Sequence, residues 1–235
     1  MRHTLHPGNA SDLRHRLSLK CSYLSSADVA RRIHGLVPVS TVLPPPTRSW
    51  TSYRDPGIDG QDSNLALRLL DDISRNGEHI GDFCKIYFAT FHSSLPIINE
   101  DDFGCQLQRK DQTPQFATLL LSMTIITHLS SEAPARLANL EELFLTVKRL
   151  HTLLQSTGKI SIELIQAGLL IASYEYCQAL GQDAWLSIGV CSRMGYVLGL
   201  HKTIKSHIPT EDISGASFET RKCVWWGIVV LERYR

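Results

Sequence analysis

Residues 161–201 read SIELIQAGLLIASYEYCQALGQDAWLSIGVCSRMGYVLGLH, and this stretch decides the fold. Ser161 suits a helix N-cap, because its hydroxyl can take up one of the first unpaired backbone N–H groups. Ile162, Ile165, Leu169, Ala172 and Tyr176 then fall on one side of a 3.6-residue period, which predicts a helix with that face inward. Gly181 is expected to close it. A second helix is expected from Trp185 to Leu200, with Gly199 at a terminus that needs positive φ. Gly189 stands four residues from Trp185, where a small residue permits close helix crossing beside a bulky aromatic. Arg193 lies on a largely apolar helix, so burial there would require a carboxylate partner, with Glu219 or Glu175 expected to supply it.

The same period continues outward in both directions. Before this stretch, Ser63 can cap a helix through Leu65, Leu69, Leu70 and Ile73, with Gly77 as its stop. Ile80, Phe83, Tyr87, Phe88 and Phe91 mark the face of a second helix. Pro96 disfavours helix at its predecessor, so Leu95-Pro96-Ile97-Ile98 is expected to be extended. Asn99 to Asp102 can cap a short helix through Phe103 and Leu107. Thr113-Pro114 is a capping residue followed by a first-turn proline, and the helix it opens is apolar nearly all round, as a central core element would be. Pro134 is expected to begin a long helix with Leu137, Leu140, Phe144, Val147, Leu150 and Leu154 inward, ending at Gly158. After it, Phe218 to Tyr234 reads as a last helix, in which adjacent Trp225 and Trp226 must point in different directions. No β pattern or βαβ alternation competes, so the fold class is all-α.

Residues 1–60 read differently. They hold Pro38, Pro44-Pro45-Pro46 and Pro56-Gly57 among Ser, Thr and Arg, and such runs favour extended polyproline geometry. The expected division is a poorly structured arm at 1–60 and a helical body at 61–235. The arm carries eight Lys/Arg against four Asp/Glu, while the body carries sixteen against nineteen. A whole-chain net charge of +1 argues against a large phosphate-binding surface, which needs clustered basic residues.

The search for chemistry narrows the function. There is no GxSxG elbow, GxxxxGK loop, HExxH pair or GxGxxG turn. The ten histidines are dispersed. The six cysteines, Cys21, Cys84, Cys105, Cys177, Cys191 and Cys223, include no CxxC pair and read as free thiols rather than a zinc or disulfide framework. Glu100-Asp101-Asp102 sits where a helix begins, so capping and dipole stabilisation outweigh metal binding. His201 follows a helix end, where it suits the C-terminal dipole. The apolar run from Phe116 to Leu129 is shorter than the roughly 20 residues a membrane span requires. An enzyme, a cofactor site and a metal site within this chain are therefore not expected.

Three stretches in order resemble the fungal-specific transcription factor domain, the middle region of fungal zinc-cluster regulators. The first is Tyr87-Phe88, His92, Leu95-Pro96-Ile97-Ile98 and Phe103. The second runs from Ser161 through Ile165-Gln166-Ala167, Leu169-Leu170, Tyr174 and Gly181 to Ala184-Trp185, Gly189, Arg193-Met194 and Leu198-Gly199-Leu200-His201. The third is Glu219, Arg221-Lys222, Trp225-Trp226, Leu231 and Arg233. The resemblance covers roughly residues 80–235. It implies a nuclear regulator of RNA polymerase II transcription, whose helical region works through protein partners of the transcription machinery or a homologous regulator, with a small-molecule effector left open. It also implies that zinc and DNA contact belong to an N-terminal six-cysteine cluster, which nothing here matches. The expected reading is thus the front part of the regulatory domain without its zinc cluster. The alternative is a short interaction module that pairs with or antagonises a full-length regulator. Two departures stand in the second stretch, where Cys191 and Gly195 replace the family's usual alanines. A mid-helix glycine costs about 0.5–1 kcal/mol relative to alanine. Glu232 stands for the family's usual aspartate.

Overall fold

A computed structural model describes residues 63–75, 80–109, 112–129, 140–202 and 217–233. The predicted arm at 1–60, the stop at Gly77 and the start at Pro134 lie outside the described residues. Among those residues there are eight α-helices and no strand. We label them α1 (Ser63–Arg75), α2 (Ile80–Thr90), α3 (Glu100–Leu107), α4 (Pro114–Thr127), α5 (Leu140–Ser156), α6 (Ile162–Cys177), α7 (Gly181–Val197) and α8 (Phe218–Glu232).

Side-chain caps start four of these helices where the sequence places polar residues. Asn99, Thr113, Ser161 and Ser217 accept the N–H of Asp102, Phe116, Leu164 and Thr220 respectively. The Glu100-Asp101-Asp102 run occupies the first turn of α3, as expected of carboxylates near a helix N-terminus. Leu95–Ile98 is non-helical with Leu95, Ile97 and Ile98 buried and Pro96 exposed.

The core is a pair of helices, α4 and α6, packed on each other, with α1, α2 and α5 around α4 and with α7, α8 and α5 around α6. Both central helices are wrapped on all sides, which is why neither shows a polar stripe. The buried hydroxyls of α4 are satisfied locally: Thr118, Ser122, Thr124 and Thr127 donate to carbonyls three or four residues earlier at 2.7–3.1 Å.

The link between α6 and α7 departs from expectation. Gly181 does not close α6 but opens α7. The left-handed turn falls instead on Ala179, at φ 61°, and the N–H of Leu180 returns to the Glu175 carbonyl at 2.9 Å. Helix α7 ends at Val197, short of the predicted Leu200, because Gly199 takes φ 69° and a 3-10 turn follows over Leu200–Lys202. Gly158, after α5, takes φ 71°, in keeping with its predicted role as a stop.

Candidate functional site

The three sequence stretches converge on one side of α6. Gln166, fully enclosed on that helix, donates from Nε2 to the Ile97 carbonyl at 2.7 Å and so holds the proline-containing link against the core. Gly227 of α8 lies over the same link. A Cβ there would collide with Ile97 Cγ2 and press on Leu169, so only glycine lets α8 approach this closely. Asp102 accepts a 2.6 Å hydrogen bond from the Thr220 hydroxyl, joining the N-termini of α3 and α8. Burial pushes the Asp102 carboxyl up, but hydrogen bonds from Thr220 and Ser217 outweigh it and hold the group below the usual carboxylate range.

A polar seam runs between α3, α6 and α8. Gln106 donates to Glu163 at 2.9 Å, and Asp102, Gln106, Glu163, Gln166 and Thr220 surround a cavity of about 20 Å³. That volume suits a single water rather than an organic ligand. In the same first turn of α8, Arg221 donates to the Leu198 carbonyl at 2.8 Å, covering the end of α7. Leu200 is fully buried beside it. His201 rests against Tyr196 and Trp225, with ring centroids at 4.8 and 6.0 Å, and Tyr196 meets Trp225 edge-on at 5.2 Å. Phe103 packs between Phe88 and Phe116, with centroids at 5.5 and 5.6 Å.

Two expectations about α7 are overturned. Arg193 has neither Glu175 nor Glu219 as partner. It is exposed, and its guanidinium donates to the carbonyl of Gly189 at 3.0 Å. Glu219 instead lies 3.6 Å from Lys222, and Glu175 pairs with Lys148 at 2.6 Å. The reason is rotational: Arg193 projects from the face of α7 turned away from α6, where no burial cost has to be offset. Gly189 likewise has no crossing helix, since a Cβ there would meet only the Arg193 side chain at 3.4 Å. The close approaches fall on other glycines. A Cβ at Gly168 would meet Cys191 Sγ at 2.5 Å and the His151 ring at 2.7 Å, and one at Gly195 would meet Ile228 at 2.9 Å. Gly195, expected only as a helix-weakening departure, sits at the α7–α8 contact, where an added methyl would have to displace the tip of Ile228 and crowd the Trp225 ring.

Of the two tryptophans on α8, Trp225 is buried and Trp226 half-buried. Trp185 stands 55% exposed on α7, and Arg233 is exposed at the end of α8.

One buried polar group escaped sequence reading. His151 on α5 is enclosed; its Nε2–H donates to the Leu164 carbonyl at 2.9 Å and its Nδ1 accepts from Gln155 at 2.8 Å. Burial lowers its pKa to about 4, so it is neutral and structural. The i to i+4 spacing of His151 and Gln155 is the sequence signal that was present. Glu175 is a second such group, a fully buried carboxylate of α6 reached by Lys148 of α5, which also bonds Asp183 of α7 at 3.1 Å. Burial pulls the Lys148 ammonium down, but the two carboxylates outweigh it and hold its pKa above the ordinary value. Burial also pushes the thiols of Cys84 and Cys191 up to about 11 and about 12, which makes them poor nucleophiles. Among the described residues no group of three or more His, Cys, Asp or Glu could hold a metal ion, and no helix is long and apolar enough to cross a membrane.

An all-α body in which short polar ties lock three sequence-distant segments together is a scaffold. The chain belongs to the family of the fungal specific transcription factor domain, whose profile matches residues 84–235. Similar proteins carry matching names. Residues over a 141-residue alignment are 32% identical to Transcription factor BOA15 of Botryotinia fuckeliana, covering 57% of this chain and 71% of that one. Transcription factor tazR of Aspergillus terreus is 27% identical over 158 residues, 65% of this chain and 25% of its own. The lactose regulatory protein LAC9 of Kluyveromyces lactis is 26% identical over 155 residues, 64% of this chain and 17% of its own. The chain thus spans a quarter or less of the latter two relatives. No solved structure matches it significantly. This is a transcription-regulator chain, and the matched region is its helical domain.

Proposed function

We propose that this chain serves as a protein-contacting regulatory region of a fungal transcription regulator, working in the nucleus and making no direct base or phosphate contact through its described helices. The observation that carries the reading is the character of its exposed helix face. On α7 the outward residues are chiefly Trp185, Leu186, Tyr196 and Val197, with Arg193 as the one cation among them. Phosphate recognition needs several Lys and Arg on one face, whereas a contiguous apolar patch of a few hundred Å² marks a protein contact. Burial of the Cys84 and Cys191 thiols and of neutral His151 gives these three groups packing roles rather than nucleophilic or base chemistry. In this reading any zinc is held outside the described residues, in an N-terminal cluster of the assembled regulator, and DNA contact goes with it.

The second reading, a short module that pairs with or antagonises a longer regulator, is favoured by one specific fact. The 141 matched residues make up 71% of the relative from Botryotinia fuckeliana, so that relative is itself only about 200 residues long. The experiment that separates the readings is a binding comparison with labelled promoter duplex and with a tagged longer family member. Binding of the duplex that weakens steeply with added salt would overturn the protein-contact reading, since phosphate neutralisation releases counterions. Association with the longer regulator and no duplex binding would support it.

A further inference from the structure

We propose that the small cavity between α3, α6 and α8 is a built site for one hard cation of calcium's size, held by the side-chain oxygens of Asp102, Gln106, Glu163 and Gln166 and independent of the protein contact above. Its volume of about 20 Å³ admits one water-sized particle. Among the described residues, six lining side chains carry oxygen: Asn99, Asp102, Gln106, Glu163, Gln166 and Thr220. None carries a basic group, and the remaining wall is the apolar Ile98, Phe103, Leu119 and Ile162.

Two observations point to a positive occupant. The first is charge. Asp102 and Glu163 bring two carboxylates to this one cavity, and among the described residues neither is paired with Lys or Arg. Elsewhere in the same body the buried carboxylate of Glu175 draws Lys148 to 2.6 Å. The second is Gln166, which is only 4% exposed. Its Nε2 is committed to the Ile97 carbonyl at 2.7 Å, and among the described residues no group donates to its Oε1. An enclosed amide oxygen without a donor is costly, and the cavity is the space this one lines. Gln106 repeats the arrangement, since its Nε2 is spent on Glu163 at 2.9 Å and its own oxygen is left over.

The helix N-termini nearby do not reverse the sign. Those of α3, α6 and α8 each have a first-turn N–H taken up by a cap, at Asn99, Ser161 and Ser217, and each has a carboxylate in its first turn. The donor set then selects the ion. Oxygen alone, with no imidazole or thiolate, favours a hard cation over zinc or copper. Calcium accepts carboxylate and amide oxygens in an adaptable shell, whereas magnesium retains several waters, for which this cavity has no room. Bound there, the ion joins α3 to α6 beside the Asp102–Thr220 bond that holds α8, so the seating of α8 becomes cation-dependent.

The test is thermal unfolding of the whole 235-residue chain after EDTA treatment, with calcium chloride, magnesium chloride or sodium chloride added at equal ionic strength. We expect calcium alone to raise the melting temperature, by about 2–4 °C once the site is mostly filled, with one ion bound per chain in titration calorimetry. Glu163→Gln keeps the shape of the side chain and should abolish the calcium shift while leaving helix content unchanged. Asp82→Asn, at an exposed carboxylate of α2, should leave the shift intact. A chain indifferent to calcium overturns the site and leaves the cavity to a water molecule. A shift that survives Glu163→Gln, or that magnesium matches, overturns it as well.

Discussion

Helices α6 and α7 follow each other in the chain and differ by one residue in length, yet they meet opposite fates. Fourteen of the sixteen residues of α6 are buried, against six of seventeen in α7. The difference shows what the shared sequence pattern encodes. In α6 its members serve packing: Gln166 ties the Leu95–Ile98 link, and Gly168 admits the His151 ring and the Cys191 thiol. In α7 Trp185 and Arg193 are exposed, and half-buried Gly189 would meet only the Arg193 side chain if it carried a Cβ. Residues recurring in one pattern therefore divide into those that build the body and those offered to something else.

The largest blow to the α6 side should come from Lys148. Replacing it by Met leaves Glu175 buried without its cation, which costs on the order of 3–5 kcal/mol. Chemical denaturation should show that loss, and replacing Glu175 by Leu as well should recover most of it, since the paired apolar change removes the stranded charge. Acid comes next. His151 has a folded pKa of about 4, below its unfolded value of 6.5, so the unfolded chain binds the extra proton first. Stability is complete above about pH 6.5 and falls as pH drops toward 4, by on the order of 3 kcal/mol in all. Burial lowers the pKa of His92 and His128 also, which adds to the slope in the same direction. Melting temperatures across this range check the prediction, and His151→Gln should flatten the curve.

The glycines then sharpen the contrast directly. Gly168→Ala should cost about 2 kcal/mol, because its methyl meets Cys191 and His151. Gly189→Ala should leave the monomer as stable or raise its stability by up to about 1 kcal/mol through helix propensity, since it meets open surface. Equal effects at the two sites in thermal unfolding would erase the proposed distinction between body and contact face.

Much of this was legible in the sequence. The caps at Asn99, Thr113 and Ser161 stood where polar residues precede apolar periods, and the non-helical Leu95–Ile98 link followed from Pro96. What failed was the face of α7. Trp185, Leu186 and Val197 make the helix look apolar on every side, as α4 is, so periodicity alone could not show which side met the core. Arg193 was accordingly assigned a buried partner it has no use for. The end of α6 was misplaced because a left-handed alanine, Ala179, carries no glycine signal, while Gly181 two residues later does. His151 and the Lys148–Glu175 pair depend on α5 lying beside α6, a fact of tertiary packing that no local window contains.

The bond between Asp102 and Thr220 has a consequence for how the molecule comes into being. It closes a loop of more than a hundred residues, and Gly227 seats α8 on the link just ahead of that aspartate. During synthesis, α1 to α7 emerge with one flank of α6 and the Leu95–Ile98 link still uncovered. Helix α8 covers that flank, so it must emerge before this part of the core is sealed. Such long-range closure is slow compared with helix formation. A nascent chain paused before residue 218 would carry an open apolar cleft, which is the state in which a chaperone would meet it.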